Sequence, residues 1–311
     1  MRAMIRYFAS RLLWAIPTLF VIVTAAFFLI RTAPGGPFDE ERALPPAIKR
    51  NLEAAYGLDK PLWVQYSRYL RGVSRGDFGP TFRYKDFSVS ELILQGLPVS
   101  MILGSISIVL ALGLGVPIVI YAALHQNTAG DYGVMILAVA GITVPAFVVL
   151  PFLSLVFGIH LKWLPVAGWE PGAARYYVLP IIALALPPLA YVARLTRSSM
   201  IDVLNTPYIR TARAKGLQQR GLLWRHALRP ALIPVAGFVA PAVAAIMTGS
   251  LVVESIAGLP GIGRYLVQGA LNRDYTLVMG MVIIYSALLI GMGLLVDCVY
   301  VWLDPRIRFG Q

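Results

Sequence analysis

The segment Tyr208–Leu228 reads YIRTARAKGLQQRGLLWRHAL and lies between two uncharged hydrophobic runs. Around it, Arg194–Arg229 holds Arg194, Arg197, Arg210, Arg213, Lys215, Arg220, Arg225 and Arg229 against one acid, Asp202. Lys and Arg resist translocation, so a connector this basic between membrane spans is expected on the cytoplasmic side. The pattern exceeds what a simple connector needs. Arg210 to Lys215 reads as a short helix, Gly216 suits a left-handed stop, and a second amphipathic helix follows. A helix–Gly–helix unit of this kind is expected to be a docking surface for something in the cytosol.

The composition explains why membrane spans flank it. Of 311 residues, 58% are hydrophobic and 14% charged, and the mean hydropathy is +0.71. A soluble domain cannot hide that much apolar surface, so an integral membrane protein is expected. The net charge of +12 does not call for nucleic acid. No RNA- or DNA-binding signature is present, and cytoplasmic loops facing an anionic bilayer account for much of the excess. The single cysteine, Cys298, lies in a hydrophobic run and reads as a small apolar residue.

Charge-free stretches of about 18 or more residues mark helices that cross a hydrocarbon core of ~30 Å. Six are present: Leu12–Ile30, Pro98–Leu124, Gly133–Ile159, Tyr176–Ala193, Ala231–Val253 and Leu277–Val296, the last running on to Leu303. Leu12–Ile30 follows Arg2, Arg6 and Arg11 but ends without a small-residue cleavage site, so it reads as an uncleaved first helix. An even number of spans places both termini on one side, with the Arg194–Arg229 loop. That side is cytoplasmic by its positive charge. The expectation is an all-α polytopic protein, with a first helix and external loop over 1–96 and a five-helix core over 97–311. The external loop Arg31–Gly96 carries ten basic and eight acidic residues, and its length exempts it from the orientation rule. Helical stretches are expected at Pro46–Tyr56 and Leu62–Leu70. Prolines at 145, 151, 180, 187, 188, 234 and 241 favour kinks.

Catalytic and energy-coupling chemistry is missing. There is no GxxxxGK[ST] phosphate loop, GxSxG elbow or HExxH pair. His125, His160 and His226 fall in three separate connecting regions, which argues against a metal site. The spans lack the interior carboxylates of an ion-coupled carrier, with only Glu254 and Asp297 near their ends. A membrane-embedded enzyme would need a nucleophile–base or metal constellation that the residues do not offer. Energy must come from a partner at the cytoplasmic face.

The motifs carry a resemblance. Arg210-Thr211-Ala212-Arg213-Ala214-Lys215-Gly216, with Leu228 at the right distance, resembles the cytoplasmic signature of the permease subunits of ATP-binding-cassette importers, in its peptide-branch form. That signature ordinarily has Glu where this chain has Arg210, Ile where it has His226, and its final Pro one residue before Pro230. The resemblance runs along the chain through APGGPF at 33–38, ALPP at 43–46, YGLDKPLWVQY at 56–66, GDFGPTFRYKDFSV at 76–89, GLPGIGRY at 258–265, LNRDY at 271–275 and LDPRIRFG at 303–310.

Membership implies a multi-pass permease of the bacterial inner membrane, inactive alone and without a cofactor of its own. Its partners would be a homologous second permease, two cytoplasmic ATP-binding subunits carrying ATP and magnesium, and an extracytoplasmic peptide-binding protein. The cargo would be oligopeptides, though permeases for dipeptides, glutathione, haem and nickel share most of these motifs. The short helix would sit in a cleft of the ATPase, so that ATP-driven closure moves the bundle. Thr143, Thr248 and Ser250 are candidate pathway hydroxyls. Glu254, Pro260, Gly261 and Gly263 are candidates for an external gate, or else an interfacial acid beside a tight turn. The external loop suits transient docking of a binding protein. Asp304-Pro305-Arg306 reads as a helix stop at the membrane surface.

Overall fold

In a computed structural model, described at residues 2–32, 45, 50, 51, 54, 56–84 and 86–303, the chain is almost entirely helical. Among the described residues the only β pairing is an isolated antiparallel bridge between Pro80 and Ser88. The helices are α1 (Arg2–Thr32), α2 (Leu62–Val73), α3 (Val89–Leu124), α4 (Ala129–Thr143), α5 (Ala146–Leu153), α6 (Arg175–Leu204), α7 (Pro207–Ala214), α8 (Gln219–Leu222), α9 (Leu228–Ala231), α10 (Ile233–Ala257), α11 (Ile262–Leu271) and α12 (Tyr275–Leu303). Wide π turns extend α5 over Ser154–His160 and join α8 to α9 over Leu223–Ala227. The expected helix at Leu62–Leu70 is α2. That at Pro46–Tyr56, the motifs at 33–38 and 43–46, and Asp304-Pro305-Arg306 lie wholly or mostly outside the described residues.

Among the described residues, α1, α3, α6 and α12 are each long and apolar enough to cross a membrane. The third expected span, Gly133–Ile159, is not one helix. It breaks between α4 and α5–His160, whose axes are bent by 107°. The cause is local. Pro145 disfavours helical geometry in the residue before it, and Val144 is accordingly extended (φ −88°, ψ 117°) while Pro145 caps α5 in a similar conformation. The fourth span also differs from expectation: the basic residues Arg194 and Arg197 sit not in a loop but on α6, which stays helical to Leu204 through Pro180, Pro187 and Pro188.

Two compact units are distinguished, one of residues 1–11, 101–259 and 289–311, the other of 12–100 and 260–288. In the first, small residues let helices approach closely, which is how helices pack where lipid removes the hydrophobic drive. Val119, Ala138, Ala190 and Ala193 form one buried cluster from α3, α4 and α6. A Cβ on Gly115 would stand 3.2 Å from Val192 Cγ1, and one on Gly141 3.1 Å from Ala190 Cβ. Met200, Ile209, Ala212, Leu222, Ala227, Ala231 and Ala123 form a second cluster that seats α7 and α8–α9.

The second unit is organised around Asp274, which is fully buried. It caps α12 by accepting from Leu277 N–H (3.1 Å) and takes the Phe82 N–H at 3.0 Å, tying the 76–88 loop to the LNRDY corner. The Tyr84 hydroxyl donates to Gln268 of α11 in the same corner. Phe27 of α1 packs among Tyr66 and Tyr69 of α2, and Thr24 shares a 2.7 Å hydrogen bond with the Tyr66 hydroxyl.

Candidate coupling site

The basic segment becomes three short pieces. Thr206 is extended (ψ 151°) and Pro207 follows at the first helical position, where its fixed φ and missing N–H cost nothing. After two turns α7 closes on Gly216 at φ +78°. Gly216 N–H reaches Arg213 O at 2.9 Å and Leu217 N–H reaches Ala212 O at 3.3 Å, the paired bonds of a Schellman stop. A Cβ on Gly216 would meet nothing within 4 Å, so only the backbone angle demands glycine there.

The faces of α7 are sharply divided. Ile209 and Ala212 point into the chain's own core, while Arg210, Thr211, Arg213, Ala214, Lys215 and Gly216 are exposed. Ala212, expected at the docking surface, is therefore a seat for α7 rather than part of its outer face. Leu228 is likewise half-buried against the same cluster. The exposed surface continues instead onto Arg225 and onto Trp224, which is 65% exposed. Pro230 cannot donate to the carbonyl four residues earlier, that of His226. That carbonyl is the one the Tyr208 hydroxyl approaches, at 3.4 Å, which links the start of α7 to the wide turn beneath Trp224.

Behind this surface lies a pairing that the sequence reading missed. Arg197 of α6 donates through Nε and Nη2 to the two carboxylate oxygens of Asp131 on α4, both at 2.6 Å. Asp131 is 0% exposed, and it also accepts the Asn127 N–H at 2.9 Å. Thr128 caps α4 by accepting from Asp131 N–H at 3.4 Å. The Thr-x-x-Asp spacing was a legible capping signal; the long-range arginine partner was not.

The pathway candidates are dispersed. Thr143 is exposed at the α4–α5 break and bonded to Val139 O. Ser250 is buried and donates to Met247 O, one turn back in its own helix. Thr248 lies on α10, with its side chain outside the described set. Glu254 is 0% exposed near the end of α10, so within this chain it is not an interfacial acid in contact with water. The Pro260–Gly263 turn is packed rather than free: Gly261 and Gly263 are buried. Ile262 N–H donates to Ser100 Oγ at 3.0 Å, and a Cβ on Gly96 would stand 3.0 Å from Ile262 N. Among the described residues no three metal-ligating side chains cluster.

The oligopeptide transport system permease protein OppB of Salmonella typhimurium is 50% identical over 306 residues, 98% of this chain and all of that protein. The dipeptide transport system permease protein DppB of Bacillus subtilis is 45% identical over 98% of both chains. The crystal structure of an amino acid ABC transporter with histidines matches with a TM-score of 0.50 at 17% identity. It covers 68% of this chain and 94% of that one, a likeness of fold alone. The N-terminal family of binding-protein-dependent transport system membrane components matches residues 4–87. Residues 115–309 match the binding-protein-dependent transport system inner membrane component, and the chain belongs to that family, a multi-pass protein of the inner membrane and not itself an enzyme.

Proposed function

We propose that this chain is one of two permease subunits through which an ATP-driven importer passes oligopeptides across the bacterial inner membrane. The observation that carries the reading is end-to-end identity: half of the aligned residues match permeases named for oligopeptide transport. A second reading, dipeptide import, is supported by 45% and 38% identity to permeases named for dipeptides. Growth of an auxotroph on tri- to pentapeptides and on dipeptides, with and without this gene, separates the two. Loss of growth on the longer peptides is expected. A defect confined to dipeptides favours the second reading, and normal use of both overturns peptide import.

In this reading a homologous permease completes the pathway, two cytoplasmic ATPases bind ATP and magnesium, and an extracytoplasmic protein delivers the peptide. Residues 97–311 are the permease core, with 1–96 as a first helix and an external platform. The exposed residues of α7, with Gly216, are the ATPase-facing surface. Thr143, Thr248 and Ser250 are the proposed pathway hydroxyls, and Glu254, Pro260, Gly261 and Gly263 the proposed gate residues. The chain crosses the bilayer six times, α10 and the bent α4–α5 pair included. Both termini and Arg194–Arg229 lie inside, and Arg31–Gly96 lies outside. Single cysteines at Ser74 and Gln218, both exposed, test this in a Cys298→Ser background. Ser74→Cys should react with an impermeant reagent in intact spheroplasts and Gln218→Cys should not. The opposite pattern would overturn the orientation and the coupling argument with it.

A further inference from the structure

A cavity of about 220 Å³ lies within the second unit, between the end of α1, α2, the 76–80 loop and the start of α12. Three polar atoms on its walls are buried without a hydrogen-bond partner: Arg31 Nε, Gln65 Oε1 and the Tyr69 hydroxyl. Three such atoms around one void are unusual, because each orphaned buried group costs about 1–3 kcal/mol. Their surroundings fix what would satisfy them. Arg31 is held over the Phe27 ring at 5.3 Å and near the Tyr275 ring at 6.0 Å, contacts that hold the guanidinium in place while its Nε has no hydrogen-bond partner. The Gln65 amide nitrogen already donates to Leu58 O (3.1 Å) and Lys60 O (2.7 Å). Its oxygen is thereby turned to the cavity as an acceptor in need of a donor. Burial pushes the Tyr69 phenol upward, so it stays neutral and able to donate. The carboxylate on the rim, Asp77, already takes the Gly79 N–H at 2.9 Å.

We propose that this cavity binds a compact zwitterion, an anionic oxygen against Arg31 and Tyr69 and a primary ammonium against Gln65. The phosphoethanolamine headgroup of a bilayer lipid is the source best placed to supply it. Water would fill the volume and bond to each wall, but it would bring no negative charge to Arg31 Nε. A simple anion would leave Gln65 Oε1 unserved. The lipid source follows from position: Arg31 is in the last turn of α1, a helix long and apolar enough to cross the membrane. The last turn of such a helix lies at headgroup depth. Phe27 and Met279 on the cavity wall give the apolar contact that the first carbons of a lipid tail require.

The test is thermal unfolding of the delipidated full chain in detergent, with dioleoyl phosphatidylethanolamine, phosphatidylcholine or phosphatidylglycerol added, and separately with free O-phosphoethanolamine. Saturating phosphatidylethanolamine is expected to raise Tm by about 5 °C. Phosphatidylcholine keeps the phosphate but has no N–H and should do markedly less. Gln65→Leu should erase the difference between the two lipids. Arg31→Met should abolish the shift, and Arg31→Lys should retain part of it. Free O-phosphoethanolamine reproducing the shift and displacing the lipid would assign the same chemistry to a soluble zwitterion. Equal shifts from all three lipids would overturn the proposal, as would a phosphatidylethanolamine shift that survives Arg31→Met. Should Arg31→Met not fold, the Gln65→Leu arm decides alone: an unchanged preference for phosphatidylethanolamine overturns the site.

Discussion

Arg197 and the arginines of α7 lie close in sequence, yet they meet opposite fates. Arg197 is 22% exposed in its side chain and locked in a two-pronged ion pair with a buried carboxylate. Arg210 and Arg213 project from a helix whose buried face consists of Ile209 and Ala212. The contrast shows that a basic stretch is two structures laid end to end. Where α6 passes α4, charge is consumed internally and fixes helix position. Where the chain leaves α6, charge is left available to a partner. An ion pair of the first kind is weak evidence of net stability but costly to break, since one charge is then left buried. Charges of the second kind contribute little to folding.

The largest effect should come from breaking the internal pair. Asp131→Ala is expected to destabilise the chain by about 3 kcal/mol, because Arg197 loses its counter-ion. The double variant Asp131→Leu with Arg197→Met should recover much of that. Thermal unfolding in detergent checks both, and equal losses in the single and double variants would deny the pairing its role.

Next is Gly216. Gly216→Ala should cost about 1–2 kcal/mol, because its left-handed angle disfavours a Cβ. Gly216→Trp should cost a similar amount in the isolated chain, where nothing occupies the space, yet it should abolish uptake or release the ATPases. Normal uptake by Gly216→Trp at normal protein level would remove Gly216 from the docking surface.

The smallest effect on folding is expected at Arg213. Arg213→Glu should change stability by less than about 0.5 kcal/mol while weakening ATPase association, measured by co-purification at low and high salt. A stability loss as large as that of Asp131→Ala would mean that the two kinds of arginine are not distinct.

Much of this was legible in the chain. The all-helical class and the stop at Gly216 follow from hydropathy and one glycine. The break at Val144–Pro145 was only half legible: a proline inside an apolar run signals a kink, but the run of apolar residues on both sides looked like one span. Ala212 illustrates a different limit. Its spacing with Ala214 and Gly216 marks small residues, but a helix of eight residues has two faces, and which one the core claims depends on Met200 and Leu222 from elsewhere. The Asp131–Arg197 pair was the least visible. Each residue stands at the margin of an apolar run and counts there as a surface charge. The orphaned groups around the α1–α2 cavity were equally hidden, since Arg31, Gln65 and Tyr69 read individually as a span end and a half-polar helix.

The Asp131–Arg197 pair also sets an order on biogenesis. The two residues are separated by 66 positions, and a ribosome adds about 5–20 residues per second. For about 3–13 s after Asp131 is made, its counter-ion has not yet been synthesised. Throughout that interval α4 carries, in its first turn, a carboxylate whose counter-ion is missing. Neither arm of the bent pair has the twenty or so apolar residues that would commit it to the bilayer unaided. The first arm is therefore expected to reach its final seat only once α6 has emerged and Arg197 can close the pair.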